Sequence, residues 1–357
     1  MNIDKYKLWF IAIPASGETK IYIESKTKNY KYIYENKEEL FKNDKKFKKV
    51  LEFYIDNDKI KKIEEGLLKK EFGIITYNEE TYPKELKFIE DKPYALFYKG
   101  KIDKINKLDF IGIVGSRKPT NYGLSVTKDI VSKLEGQEVG IVSGGALGID
   151  TIAHRTAVNK NLFNVAVLGC GIDIIYPKGN RELFRSIIEN GVIISEYLPG
   201  EQPMPYNFPY RNRLISGIAK GVIITEAAKK SGAVITTSYA VEQGKKVIAV
   251  PGSIYSPLSE GCNRLIIDGA NIYENVEDIF FQFNINYVRN KSRKEKCNCL
   301  KVKILKLLEE NPRHIEEIKK ETNIDISMIN ELLFEMQFNN EIIGLTGNYF
   351  AKNIMNT

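Results

Sequence analysis

Six short runs of aliphatic and β-branched residues, FIGIVG, VGIVSGG, FNVAVLG, GVIISE, GVIITEA and KVIAVPG, recur between Lys107 and Phe283, with a segment of helix length between most neighbours. Runs that are apolar on both sides belong in strands covered on both faces. Strands that alternate with helices pair in parallel, because each return passes through a crossover helix. The expected fold class is α/β: a doubly wound, mostly parallel, Rossmann-like sheet over residues 107–283.

The flanks differ in texture. Residues 1–106 are rich in lysine and tyrosine and read as a small, mainly helical module. In DKIKKIEEGLLKKEFG, Ile60, Ile63, Leu67 and Leu68 fall on one helical face, and GIITY and YALFYKG read as short strands that close the module. Residues 284–300 are polar and charged, as in a linker. Residues 301–352 predict three short helices and a hairpin turned at GN, the order of a winged helix. Ile329, Leu332, Leu333 and Met336 have the spacing of a packed helix face.

Composition narrows the chemistry. A net charge of +7 in 357 residues permits a polyanionic partner, and equally reflects lysine scattered over the surface. The isolated pair Cys297 and Cys299, with Cys170 and Cys262 far apart, gives no metal-ligand spacing, so no metal is expected. LWFIAIPA is too brief for a signal peptide and no run approaches membrane-spanning length, which reads as a cytoplasmic, reduced protein away from membranes.

Ligands of open α/β sheets bind beyond the carboxyl ends of the strands, so the residues after each run form one set. That set is Gly115, Ser116, Arg117 and Lys118; SGGALGID; Lys178 and Arg181; Arg211 and Arg213; and Lys229, Lys230 and Ser231. Basic side chains, small hydroxyls and helix N-termini on one rim suit an anion. Taken singly, each loop also reads as a strand-to-helix turn, and His154 as a helix residue packed near its loop rather than a base. GxGxxG and GxxxxGK[ST] are absent, so no nicotinamide cofactor or ATP hydrolysis is supported. Arginines on separate loops, interleaved with Tyr122, Tyr176, Phe208 and Tyr210, suit a single strand of nucleic acid.

The ordered segments GIVGSRKPTNYG, IVSGGALGIDTIAH, GCGIDIIYPKGNRELF, SEYLPGEQPMPYNFPYRNRLISG, VIITEAAKKSGAVITTSYAVEQGKKVIAVPG and GCNRLIIDGA together closely resemble the DNA processing protein A (DprA, Smf) family. The resemblance implies a non-enzymatic homodimer that binds single-stranded DNA without strong sequence preference and helps load the RecA recombinase during natural transformation. By position, Gly115, Ser116 and Arg117 match the family's GSR loop, and Phe208, Arg211, Asn212 and Arg213 its FPxRNR segment. Arg117 would then clamp a phosphate, Phe208 would stack on a base, and Ser143, Gly144 and Gly145 would approach the strand. RLIIDGANIY is the candidate subunit contact. The helix-hairpin-helix pattern of many relatives is not visible in the N-terminal region.

Two other classes compete. Nucleoside-monophosphate phosphoribohydrolases resemble this core and carry PGGxGTxxE; here the corresponding stretch is KKSGAVITTSYAVEQG, with Glu242 on the following helix. A winged-helix regulator is disfavoured because Glu331 and Glu335 face outward on the would-be recognition helix, where they would repel phosphates.

Overall fold

In the computed structural model, which describes residues 4–287, 300–309 and 311–353, the chain forms two units, Met1–Tyr287 and Val288–Thr357. The first begins with six helices, α1 (Lys5–Ala12), α2 (Gly17–Lys26), α3 (Tyr30–Glu35), α4 (Lys37–Leu40), α5 (Phe47–Leu51) and α6 (Asp58–Leu68). Side-chain caps start several of them: the Ser16 hydroxyl accepts from Thr19 N at 3.2 Å, and Asn57 from Lys59 N at 2.9 Å. On α6, Ile60 and Ile63 are buried as the periodicity predicts, but Leu68 is 73% exposed. The buried stripe continues instead through Gly66, which lies under the Phe72 ring.

The hairpin β1 (Gly73–Thr76) and β2 (Ala95–Gly100) follows. Then strands alternate with helices: β3 (Asp109–Val114), α7 (Asn121–Lys133), β4 (Val139–Ser143), α8 (Ile149–Asn159), β5 (Phe163–Val167), α9 (Arg181–Asn190), β6 (Val192–Ser195), α10 (Asn207–Ile218), β7 (Gly221–Ile224), α11 (Gly232–Glu242), β8 (Lys246–Ala249), α12 (Glu260–Ile267), β9 (Asn271–Ile272) and α13 (Val276–Gln282). All six apolar runs are strands of one nine-stranded sheet, in the order β1-β2-β6-β5-β4-β3-β7-β8-β9. Strands β3 to β9 pair in parallel, and β1 and β2 add an antiparallel margin. The order reverses at β3, where Ile111 pairs with Ile141 on one side and Gly221 on the other. A crevice is expected at that switch, beyond the carboxyl ends.

Residue 106 is not a boundary between compact units. β2 pairs with β6, Phe97 opposite Ser195, and Trp9, Phe10 and Phe41 of the helical region share a core with Phe97, Phe184 and Ile193. A continuous ladder and a common core make this region a flank of the sheet.

In the second unit, a helix over residues 300–307 (α14) is followed by β10 (Arg313–His314), α15 (Ile315–Thr322), α16 (Ile326–Phe338), β11 (Ile342–Leu345) and β12 (Tyr349–Lys352). Ile304, Ile318, Ile329, Leu332, Leu333 and Met336 form its own core. The hairpin turns at Gly347 and Asn348, whose φ values of +78° and +59° are the left-handed pair of a tight turn. This is the helix, helix, helix, wing order expected from sequence, with β10 as an added strand in the order β10-β12-β11. Glu331 is exposed on α16, and Glu335 pairs with Lys301 at 2.6 Å. Most of the linker segment, with Cys297 and Cys299, lies outside the described residues. Among the described residues no helix is long and apolar enough to cross a membrane, and no cluster of three metal-ligating side chains occurs.

Candidate nucleic-acid interface

A cleft of about 640 Å³ opens at the switch point. It brings together the loop after β3 (Gly115, Ser116, Arg117, Lys118), the start of α10 (Phe208, Arg211, Asn212) and the loop after β7 (Ala228, Ser231), with Tyr176 at the mouth. The first loop is held by its neighbours. Ser116 N donates to Glu226 O at 2.6 Å, Ser116 O accepts from Ile149 N at 3.1 Å, and the Ser116 hydroxyl accepts from Lys118 N at 3.1 Å. The buried Glu226 carboxylate also accepts from Thr120 N and Thr120 Oγ1, both at 2.8 Å, at the start of α7. So anchored, the loop holds the Arg117 and Lys118 side chains in solvent.

Arg117 lies over the Phe208 ring, 5.2 Å from its centroid, and the Tyr176 ring stands 5.4 Å from Phe208 at an interplanar angle of 32°. Phe208 fits there because Gly169 lies beneath it; a Cβ at Gly169 would be 2.8 Å from the ring. A cation and two aromatic faces therefore share one open wall, a combination that offers charge to phosphate and stacking to a base.

The other arginines are used differently. Arg211 is 3% exposed, and its guanidinium donates to Gly144 O at 2.8 Å and to Val167 O, at the ends of β4 and β5. Burial pushes its pKa down to about 10, against the nearby Asp150 carboxylate that raises it, so it stays charged at neutral pH. Arg213 is 4% exposed and gives both arms to Glu196, at 2.7 and 2.6 Å, with further bonds to Asp91 O. Burial acts to lower the Arg213 pKa, but the Glu196 charge and hydrogen bonds reverse this and leave it raised. Its fork is full, and it does not line the cleft.

The glycine loop is likewise corrected. Ser143 is fully buried and donates to Ile113 O at 2.7 Å. Gly144 and Gly145 are buried too; Gly145 takes φ +66° with the Phe184 ring 2.8 Å from where a Cβ would stand. The Asp150 carboxylate takes the amides of Gly144 and Ala146 at 3.1 and 3.2 Å. Internal packing takes two of the backbone donors of this loop, those of Gly144 and Ala146. His154 is buried on α8 with Nδ1 2.7 Å from Asn164 Oδ1, a packed residue as expected.

Lys178, Lys229 and Lys230 are exposed beside the cleft rather than in its wall, next to the lining residues Tyr176, Ala228 and Ser231. Lys229 lies 3.4 Å from Glu260, whereas Lys118, Lys178 and Lys230 have no carboxylate within 4 Å among the described residues. Glu242 is the exposed last residue of α11, outside the cleft lining. Sequence reasoning missed Glu226 and Asp150. Their signal was an acid beside each loop whose amides need an acceptor.

A profile of the DNA recombination-mediator protein A family matches residues 73–284, more than half of the chain. The chain belongs to this family. The DNA processing protein DprA of Streptococcus pneumoniae is 41% identical over 224 residues, 62% of this chain and 79% of that protein. A solved structure of DNA processing protein A from the same species superposes with a TM-score of 0.69 at 33% identity, covering 81% of this chain and 100% of the other. The Helicobacter pylori DNA processing protein A, whose structure describes a single-stranded DNA binding mode, matches with a TM-score of 0.54 at 31% identity over 58% of this chain and 93% of its own. The DNA recombination-mediator protein A profile thus spans β1 to α13 and includes every residue of the cleft wall.

Proposed function

We propose that this chain binds single-stranded DNA in the cleft, without strong sequence preference, and as a homodimer helps load the RecA recombinase on it during DNA uptake. The observation that carries the binding reading is the Arg117–Phe208–Tyr176 stack on an open wall. Arg117 grips a phosphate with its planar fork, and Lys118, Lys178, Lys229 and Lys230 hold the neighbouring phosphates as point charges. Phe208 and Tyr176 offer faces to bases, and every base has a π-face, so affinity tolerates any sequence. Arg211 and Arg213 act as positioning residues: one ties α10 to β4 and β5, the other ties it to Glu196. The named binding mode of the Helicobacter pylori relative supports this reading. Partnership with RecA and the homodimer rest on the family alone. For the subunit contact the candidate remains the segment ending in β9, the sheet edge, where Ile267 is 75% and Ile272 43% exposed.

The test is a titration of mixed-sequence single- and double-stranded oligonucleotides at several salt concentrations, beside an assay for base release from nucleotides. Single strands should be preferred and their affinity should fall steeply with salt, because each neutralised phosphate releases counterions. A flat salt response, or released base, would sink the reading.

A further inference from the structure

The loop between β8 and α12 presents two large side chains that no described residue covers. Ile254 is 84% exposed and Tyr255 90%. We propose that this loop is a second base-stacking platform, so that a strand leaving the cleft passes over Leu258 to Tyr255. This rests on the single-strand reading of the cleft.

The loop is built, not slack. At its base the Tyr122 hydroxyl donates to Pro251 O at 2.7 Å, and Asn263 exchanges two hydrogen bonds with Gly252, at 3.1 and 3.0 Å. Its tip is two successive turns, Ser256 N to Ser253 O at 3.0 Å and Ser259 N to Ser256 O at 2.9 Å, and the Ser253 hydroxyl accepts from Tyr255 N at 3.2 Å. The hydroxyls of Tyr122 and Tyr210 are tied to Pro251 O and Asp91, whereas that of Tyr255 bonds to no described residue. A rigid loop that holds an isoleucine and an unused aromatic ring in water marks an interaction surface.

Two observations name the occupant. Leu258 of this loop already lines the cleft, so the platform continues the cleft wall. The adjoining loop after β7 carries the exposed Lys230, free of any carboxylate within 4 Å among the described residues, and Lys229, 3.4 Å from Glu260 at the start of α12, so a cation for a backbone lies beside faces for bases. That pairing is the chemistry of a single strand longer than the cleft itself holds.

The experiment measures anisotropy of labelled thymidine oligonucleotides from roughly 4 to 20 nucleotides, bracketing the site sizes of single-strand binders, on the full chain. Tyr255→Ala should weaken the longest strand about fivefold or more, the effect of one lost stack, and leave the shortest unchanged. Tyr255→Phe should restore it. Equal affinities of wild type and Tyr255→Ala at every length overturn the proposal. So does a loss independent of length, or one accompanied by a change of mass in light scattering, which would place Tyr255 in the cleft or in a subunit contact. If the wild type binds no oligonucleotide of any length, the cleft reading itself fails and this inference fails with it.

Discussion

The loop after β3 and the helix α10 both bring arginines to the same rim, and they put them to opposite use. Arg117 stands in solvent over an aromatic ring, while Arg211 and Arg213 are buried, Arg211 with one arm on the carbonyls of Gly144 and Val167 and Arg213 with its whole fork spent on Glu196 and Asp91 O. A cation is available to a phosphate only if the fold leaves its donors unspent. The difference lies in anchorage: the β3 loop is fixed through its backbone by Glu226, which frees its side chains, whereas α10 is fixed through its side chains.

The largest test of this contrast is Arg213→Ala. It leaves the Glu196 carboxylate, 12% exposed, without its ion-pair partner and should cost about 3 kcal/mol of stability, read by chemical denaturation. The double variant with Glu196→Ala should recover part of the loss. A stable single variant would mean that the pair is ornamental and Arg213 free to serve a ligand. Arg117→Ala should leave the melting temperature alone and cost about 1.5 to 3 kcal/mol of single-strand binding, with a shallower salt dependence. Arg117→Lys restores charge but not the fork, so only part returns. Phe208→Ala should cost roughly 1 to 3 kcal/mol with the salt slope unchanged, since no charge is lost. Titrations at several salt concentrations separate the two.

A third buried cation sharpens the comparison from the other side. Lys20 donates to Ile11 O at 2.8 Å and has no carboxylate within 4 Å among the described residues. Burial, with Lys46 adding repulsion and Asp44 opposing, lowers its pKa from 10.5 to about 7. The unfolded chain therefore binds more protons between those values, and stability should rise with pH from about 7 to 10.5. Melting temperatures measured across that range should lose this slope in Lys20→Met; an unaltered slope would show that the ammonium is solvated. The smallest effect is expected from removing the second unit. Truncation after Tyr287 should leave single-strand affinity nearly unchanged, because every cleft residue lies in the first unit, and loss of most binding would move the site.

Periodicity is a local property, and it was enough for the six central strands, the packed face of α16 and the turn at Asn348. β9 escaped because two residues carry no period, and the union of the N-terminal helices with the sheet escaped because β2 pairs with β6 across nearly a hundred residues. The rim was legible for a different reason: parallel strands put all their carboxyl ends on one side, so GSRK, FPYRNR and EAAKK had to meet there. Which of their side chains face the cleft was not legible. Arg117, Arg211 and Arg213 are identical letters, and Ser116 in the loop after β3 and Ser143 at the end of β4 are equally alike in sequence. The sequence by itself determined the alternation of strand and helix, the side of the sheet on which the loops after the parallel strands gather, and the basic character of those loops, since these follow from spacing and residue type. Only the tertiary structure decided which cations stay free, because that depends on acceptors distant in the chain, Glu196, Glu226 and the carbonyls of Gly144 and Val167, which folding brings within hydrogen-bonding reach of some donors and not of others.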